Sequence, residues 1–291
     1  MKHAYLVMAH EQIELLKTQF RLLAHPNNDI FLHVDKKTRI GLSALQGMEF
    51  YARPSRLFLT KRLDVSWGGA SQTKAEMLLY KAARKHGAYD FYHLMSGYDL
   101  PIKSQDYIQQ FFEKPENRDT IFLTVNPTFS DWDFERLSLY HFQNILPRYL
   151  NAKLLDLQRK IGINRLKHYD LFRRGWNWCS LPGYAVDFLL EKGREIRRMV
   201  EFSKNSDEVY KQLIFINEPA FRDKIAKFSY SEKFSLWYIL WEASTCDHPK
   251  VLNMDDYESL KRTPSLFARK FSSKDEELLL KVTELVLGDK K

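Results

Sequence analysis

Two hydrophobic periods alternate along the first half of this chain, and that alternation constrains its fold more than any other feature. Short apolar runs at 4–9 (AYLVMA), 30–34 (IFLHV), 57–59, 91–95 (FYHLM) and 121–125 (IFLTV) read as buried strands. Between them the spacing turns helical. Ile13, Leu15, Leu16, Phe20, Leu22 and Leu23 form one stripe, which stops at the turn His25-Pro26-Asn27-Asn28. Ala75, Leu78, Leu79 and Ala82 form another within 71–84, and a short helix over 104–113 turns Phe111 and Phe112 inward. Strands alternating with helices predict an α/β sheet covered by helices. Ligands of such sheets sit beyond the carboxyl ends of the strands. The residues that follow the strands are therefore the first candidates: His10, Asp35, Ser96 to Asp99, and Asn126.

The alternation stops over 126–175, a stretch rich in Arg, Asp and Tyr. Its 151–160 segment reads as helix, while 130–148 fits neither period. We read it as an excursion that shapes a substrate site. Order resumes with helices near 182–192 and 207–216, strands near 236–241 and 266–269, and a helix over 274–287. No repeat or low-complexity segment divides the chain, so a single domain over 1–291 is expected.

Composition narrows the class. A chain of 291 residues that is 44% hydrophobic and 28% charged is neither collagen-like, coiled-coil nor wholly disordered. Aromatic residues at 14% suit a large core and a pocket that stacks on flat ligand faces. The formal net charge of +8 favours an anionic partner. Nucleic acid is not expected, because the basic residues are dispersed among acids and no binding motif appears. Two cysteines, Cys179 and Cys246, argue against a disulfide-built secreted domain. The N-terminal MKHAYLVMAHEQ is too short in apolar residues for a signal peptide, and no 18-residue apolar run predicts a membrane span.

Four clusters carry chemistry. In Trp67-Gly68-Gly69-Ala70-Ser71 the glycines open backbone conformations closed to other residues, and Ser71 is placed to cap the next helix. A capped turn explains the glycines and the serine but not the indole. In His93 to Pro101 a strand runs into Ser96-Gly97, with Asp99 beside a proline-fixed turn. That carboxylate suits a ribose or sugar hydroxyl, or else an Asx-turn onto its own backbone. Asp207-Glu208 precedes an apolar helix. Acids there serve as first-turn caps, or as a general base whose pKa is raised by a like charge and partial burial. In Phe267-Ala268-Arg269-Lys270-Phe271 a basic pair stands among aromatics. It is either solvated or set against a diphosphate. Both side chains reach one phosphate group only if the strand ends there, since neighbours on a strand point to opposite faces. Asp131-Trp132-Asp133 also spells a DxD, the metal-binding pattern of many nucleotide-sugar transferases.

The ordered set HAYLVMAHE, NNDIFLHVDKKT, VSWGGAS, FYHLMSGYDLPI, GWNWCSL, SDEVYKQLIFIN, HPKVL and LFARKF resembles the core-2/I-branching β-1,6-N-acetylglucosaminyltransferase and xylosyltransferase family, over nearly the whole chain. The resemblance implies a GT-A-like fold with a mostly parallel central sheet. It also implies an inverting, metal-independent transfer from a UDP-sugar to a glycan hydroxyl, with no cofactor. Glu208 of SDEVY matches the family's base. Lys270 of LFARK matches the basic residue on the donor diphosphate, and Arg269 a second one found in the xylosyltransferase branch. Asp35 matches a nucleotide-contacting aspartate. Trp67, Gly68, Ser96 and Asp99 fall in the WGG and SGxDxP motifs of the donor side. Trp178 falls in the acceptor region, with Asn177 where some relatives carry Asp; Arg136 and Tyr140 of the excursion are placed there too. Animal relatives carry a membrane anchor and many cysteines. A chain with neither is expected to be a bacterial cytoplasmic member that acts on a surface-polysaccharide precursor, on an acceptor that is often lipid-linked. The positive charge then suits peripheral contact with an anionic inner leaflet. On this reading Asp131 and Asp133 hold no metal; a metal-dependent transferase using that pair is the alternative.

Overall fold

The computed structural model describes residues 1–143, 145–226, 236–242 and 248–288, without the Leu42 side chain; Cys246 lies outside the described residues. Among these residues nine strands form: β1 (His3–Ala9), β2 (Asn28–Val34), β3 (Arg56–Leu59), β4 (Phe91–Ser96), β5 (Leu100–Pro101), β6 (Phe122–Leu123), β7 (Cys179–Pro182), β8 (Trp237–Ile239) and β9 (Phe267–Arg269). Six form the central sheet in the order β3-β2-β1-β4-β7-β6. β1 to β4 run parallel, with Tyr5 opposite Ile30 on one side and His93 on the other. β7 runs antiparallel to both its neighbours, β4 and β6.

The alternation of β1 explains the layers. Leu6 points to a cluster with Leu94, Leu181 and the inner face of helix Ala70–His86 (Leu79, Tyr80 and Ala83). Tyr5 and Val7 point the other way, to Leu16, Phe20 and Leu23 of helix Ile13–Leu23. Each fully buried side chain of this size contributes roughly 1.5–3 kcal/mol, so both helices are held mainly by these stripes. A smaller sheet, β5-β9-β8, lies over a third cluster that joins Leu100, Ala268 and Phe271 to Leu278 and Val282 of helix Glu276–Leu287.

The chain passes outward from β1 to β2 and β3, then returns to β4 on the far side of β1. The loops after β1 and β4 diverge at that reversal, the place where open α/β sheets leave a crevice. β9 is pinned beside it: Leu100 pairs with Ala268, and the Phe271 amide donates to the Tyr98 carbonyl at 2.9 Å.

Several expectations shift. The strand expected over 121–125 is only Phe122–Leu123. β7 was not expected at all: CSLP is short, and it forms a strand because it fills the gap between β4 and β6. Within the ambiguous 130–148 lies a helix, Asp131–Ser138, started by a capping box in which Ser130 and Asp133 satisfy each other's backbone amides. The helix expected from 207 begins as a 3-10 turn, Ser206–Glu208, before Tyr210–Ile216. Among the described residues no helix is long and apolar enough to cross a membrane.

Candidate active site

A cleft of about 340 Å³ opens at the β1/β4 reversal, lined by Asp35, Trp67, Ser96, Tyr98, Trp178, Arg269 and Lys270 among others. Asp35 follows β2 directly, and its amide donates to the Ala9 carbonyl at 2.9 Å. Its Oδ1 accepts the amides of Lys37 (3.0 Å) and Val65 (3.2 Å), which ties the segment before Trp67 to the strand end. Trp67 is 72% exposed, with its ring edge-to-face on His248. Gly68 holds φ +67, and a Cβ there would sit 2.5 Å from Asn205 Oδ1. The Asn205 amide in turn donates to the Gly68 carbonyl at 2.7 Å. The glycine therefore lets the WGG turn touch the loop that leads to Glu208. Ser71 does not cap the following helix. That helix begins at Ala70 without a side-chain cap, and Ser71 Oγ accepts the Ser66 amide instead, at 2.8 Å.

β9 ends at Arg269, so the basic pair does converge. The Arg269 guanidinium stacks over Trp178, with its carbon 4.6 Å from the ring centre, and Lys270 Nζ lies 4.7 Å from the centre of the Tyr98 ring. Arg269 is buried, and its Nη1 has no hydrogen-bond partner among the described residues. Burial lowers its pKa, against the pull of Asp99. A guanidinium nonetheless stays charged at any working pH. Burial, and then the Arg269 charge, lower the pKa of Lys270.

Asp99 departs from the expectation of a direct ligand contact. It is fully buried and does not line the cleft. Its oxygens accept from the Ser96 amide (3.0 Å), Ser96 Oγ (2.9 Å) and Trp237 Nε1 (3.2 Å), and Oδ1 lies 3.7 Å from Arg269 Nε. Burial raises its pKa, while Arg269, Ser96 and Trp237 oppose that rise. Asp99 thus organises the turn and braces Arg269 from behind. Ser96 lines the cleft, but its hydroxyl is committed to Asp99.

Glu208 ends the 3-10 turn with its side chain 35% exposed. Arg136 Nη1 holds Oε2 at 2.7 Å, and Arg174 Nη1 lies 3.9 Å from the same oxygen. Beneath it is a buried polar network. Lys211 Nζ lies 2.7 Å from Glu76 Oε2 and donates to Asn177 Oδ1 at 2.7 Å; Tyr210 Oη donates to Glu76 at 2.9 Å. Asp207 is buried beside this network and accepts from Gln72 Nε2 at 2.7 Å. Burial, then the charges of Glu76 and Glu208, push the Asp207 carboxyl up to about 8. Gln72 also lines the cleft, so one side chain links the cleft to the turn that carries Glu208.

The residues expected at the acceptor separate. Arg136 reaches Glu208 and Asp133. Trp178 lies in the cleft under Arg269. Asn177 is buried and faces Lys211, not solvent. Tyr140 stacks with Arg165 in a different, larger concavity of about 1050 Å³, which none of the donor-side residues line. Of the DxD, Asp133 is a buried capping residue that accepts from Ser130 and pairs with Arg136 (3.5 Å) and Arg174 (3.2 Å), while Asp131 is exposed. Among the described residues no group of three or more His, Cys, Asp or Glu side chains is placed to hold a metal ion. Gln72, Arg174, Glu76 and Lys211 were not singled out from the sequence. Each is an ordinary helix or loop residue until the fold brings it to the 206–208 turn.

A model of the core-2/I-branching enzyme family matches residues 3–261. The chain belongs to that family. A curated relative, beta-glucuronosyltransferase GlcAT14B of Arabidopsis thaliana, is 24% identical over 287 residues, which cover 94% of this chain. The chain spans only 63% of that protein's length. Among solved structures, mouse xyloside xylosyltransferase 1 in its apo form aligns over 94% of this chain and 99% of its own, at 9% identity and TM-score 0.36. The glycosyltransferase GlyE of Streptococcus pneumoniae TIGR4 aligns over 97% of this chain and 60% of its own in the apo form, at 12% identity and TM-score 0.38.

Proposed function

We propose that this chain is an inverting, metal-independent glycosyltransferase of the core-2/I-branching family. It moves a sugar, N-acetylglucosamine or a related one, from a UDP-sugar to a hydroxyl of a glycan acceptor. The observation that carries the reading is the cation pair: Arg269, buried with Nη1 unpartnered among the described residues, beside Lys270 in a cleft at the sheet's reversal point. A departing nucleoside diphosphate gains negative charge in the transition state. Fixed cations aimed at it stabilise that charge without reorganisation. Asp35 and Trp67 line the nucleotide and sugar side of the same cleft.

Glu208 is the base. Inversion needs the acceptor oxygen in line with the leaving oxygen, so the group that takes the acceptor proton stands across the sugar from the diphosphate. Arg136 fixes one carboxylate oxygen, and Oε1 is left for the hydroxyl proton. Asp133 pairs with both Arg136 and Arg174, the two guanidiniums beside Glu208 Oε2, so on this reading Asp133 of the DxD steadies the base's partners and holds no metal. We further read 1–291 as one domain of a bacterial, cytoplasmic enzyme that works on a surface-polysaccharide precursor at the inner face of the membrane.

A thermal-shift screen over nucleotide sugars in excess EDTA tests this reading, because a ligand that binds only the native state raises its apparent stability. At least one UDP-sugar should raise Tm and then be turned over with a glycan acceptor. No shift with any nucleotide sugar, with or without divalent ions, would remove the assignment.

A further inference from the structure

Residues 145–161 present a surface that the proposed reaction does not use. Ile145, Tyr149, Leu150, Leu157 and Ile161 are exposed by 36% to 67%. Helix Arg148–Lys160 turns Asn151, Leu155 and Gln158 inward. Asn151 Oδ1 accepts the Phe142 amide at 2.7 Å, and Gln158 bonds the Tyr140 backbone through both ends of its amide. At the α-helical turn angle, Tyr149, Leu150, Leu157 and the capping residue Ile161 then share an outward arc of about 120°. Lys153 and Lys160 fall inside the same arc. Among the described residues neither lysine is ion-paired, while Asp156, at the edge of the arc, is held by Arg159 Nη1 at 2.6 Å. The face is therefore apolar and cationic at once, with its nearest acid neutralised.

We propose that this face of helix Arg148–Lys160 docks the protein on an anionic lipid surface. Aliphatic and aromatic side chains on one face, interleaved with lysines, match the boundary between acyl chains and charged headgroups. The lysine stems lie along the apolar surface while their ammonium groups reach the headgroups. A second copy of the chain is the poorer partner, because a two-fold interface would set each lysine-bearing face against itself. The position has a use. Arg159 clamps Glu135 through two bonds of 2.8 and 2.7 Å, and the next residue, Arg136, holds Glu208. The docked helix thus braces the helix that positions the base. That use rests on the membrane-side precursor and the Glu208 base proposed above; the docking itself does not.

Co-sedimentation of the full chain with vesicles tests it, using phosphatidylcholine alone or mixed with phosphatidylglycerol, at low and high salt. The protein should bind only the anionic vesicles, and binding should weaken as salt screens the lysines. Lys153→Glu with Lys160→Glu should cut partitioning by roughly tenfold or more, and Leu157→Ser with Ile161→Ser should also cut it. Lys81→Glu with Lys85→Glu on the exposed side of helix Ala70–His86 carries the same change in net charge and should leave binding nearly intact. Equal losses from both lysine pairs would mean attraction by net charge alone and would overturn the assignment, as would no binding to anionic vesicles. A concentration-dependent dimer in sedimentation equilibrium, abolished by the Leu157/Ile161 variant, would give the face to a second copy instead. Thermal melts of each variant identify any loss that comes from misfolding, and the exposed lysine pair keeps the test decisive if the apolar variant is unstable. Vesicle binding that persists where no sugar transfer is found would sink the proposed activity and leave this surface standing.

Discussion

At Glu208 one carboxylate oxygen is held by Arg136 at 2.7 Å, and on the proposed reading the other takes the substrate proton. Glu208→Gln keeps the shape and removes the basicity, so transfer should fall by roughly 10²–10⁴ while nucleotide binding stays nearly intact. Turnover close to wild type in a steady-state assay would take the role from this residue. Its neighbour Asp207 makes a different prediction. Its carboxyl is pushed up to about 8 from the ordinary 3.8, so the native protein holds a proton that the unfolded chain releases in between. The stability this gives is complete below about pH 4 and is lost as pH rises through about 8. Asp207→Asn should therefore lose less Tm between pH 5 and pH 8 than wild type, and identical slopes in the two melts would show that Asp207 is not the group titrating. The acid pair was legible in the sequence as a pair. Which member faces solvent was not, because that depends on Gln72 and Glu76, more than 130 residues away along the chain.

Turns and caps decide how the elements meet at the site. Gly68 touches the 205–208 loop so closely that a single methyl group collides with Asn205, at a φ of +67 that already disfavours a side chain. Gly68→Ala should shift that loop. We expect transfer to drop at least tenfold and Tm to fall by several degrees, from a loss of roughly 1–3 kcal/mol. An unchanged rate would show that the WGG turn and the base are not mechanically joined. The two-glycine signal was visible beforehand, but its partner was not. The same limit applied to β7 and to helix Asp131–Ser138. The first is a strand only because two neighbours bracket it. The second starts at a capping box that also spells DxD, and the bonds between Ser130 and Asp133 become visible only in the fold. By contrast, helices Ile13–Leu23 and Ala70–His86 and strands β1, β2 and β4 were legible, because each buries a continuous face whose period is written in the chain.

Across the whole molecule, the parallel run β3-β2-β1-β4 sets where the loops diverge, and the small β5-β9-β8 sheet delivers Arg269 and Lys270 to that point. The sequence placed candidates at strand ends, and His10, Asp35 and Ser96 among them line this cleft. It did not show that Asp99 would be consumed in bracing Arg269, or that Trp178 would lie beneath it, since both depend on how two sheets pack. On the proposed reading these fixed cations meet the donor diphosphate in place of a metal ion. Titration calorimetry with UDP and with uridine, in excess EDTA, on wild type and Lys270→Ala measures that contact directly. UDP should bind wild type roughly ten- to a hundredfold more tightly than uridine, as expected for one or two charge-assisted contacts of about 1.5–3 kcal/mol each. Lys270→Ala should weaken UDP and leave uridine unchanged. Equal affinities for UDP and uridine in EDTA, with a preference for UDP appearing only when Mn²⁺ or Mg²⁺ is restored, would contradict the account.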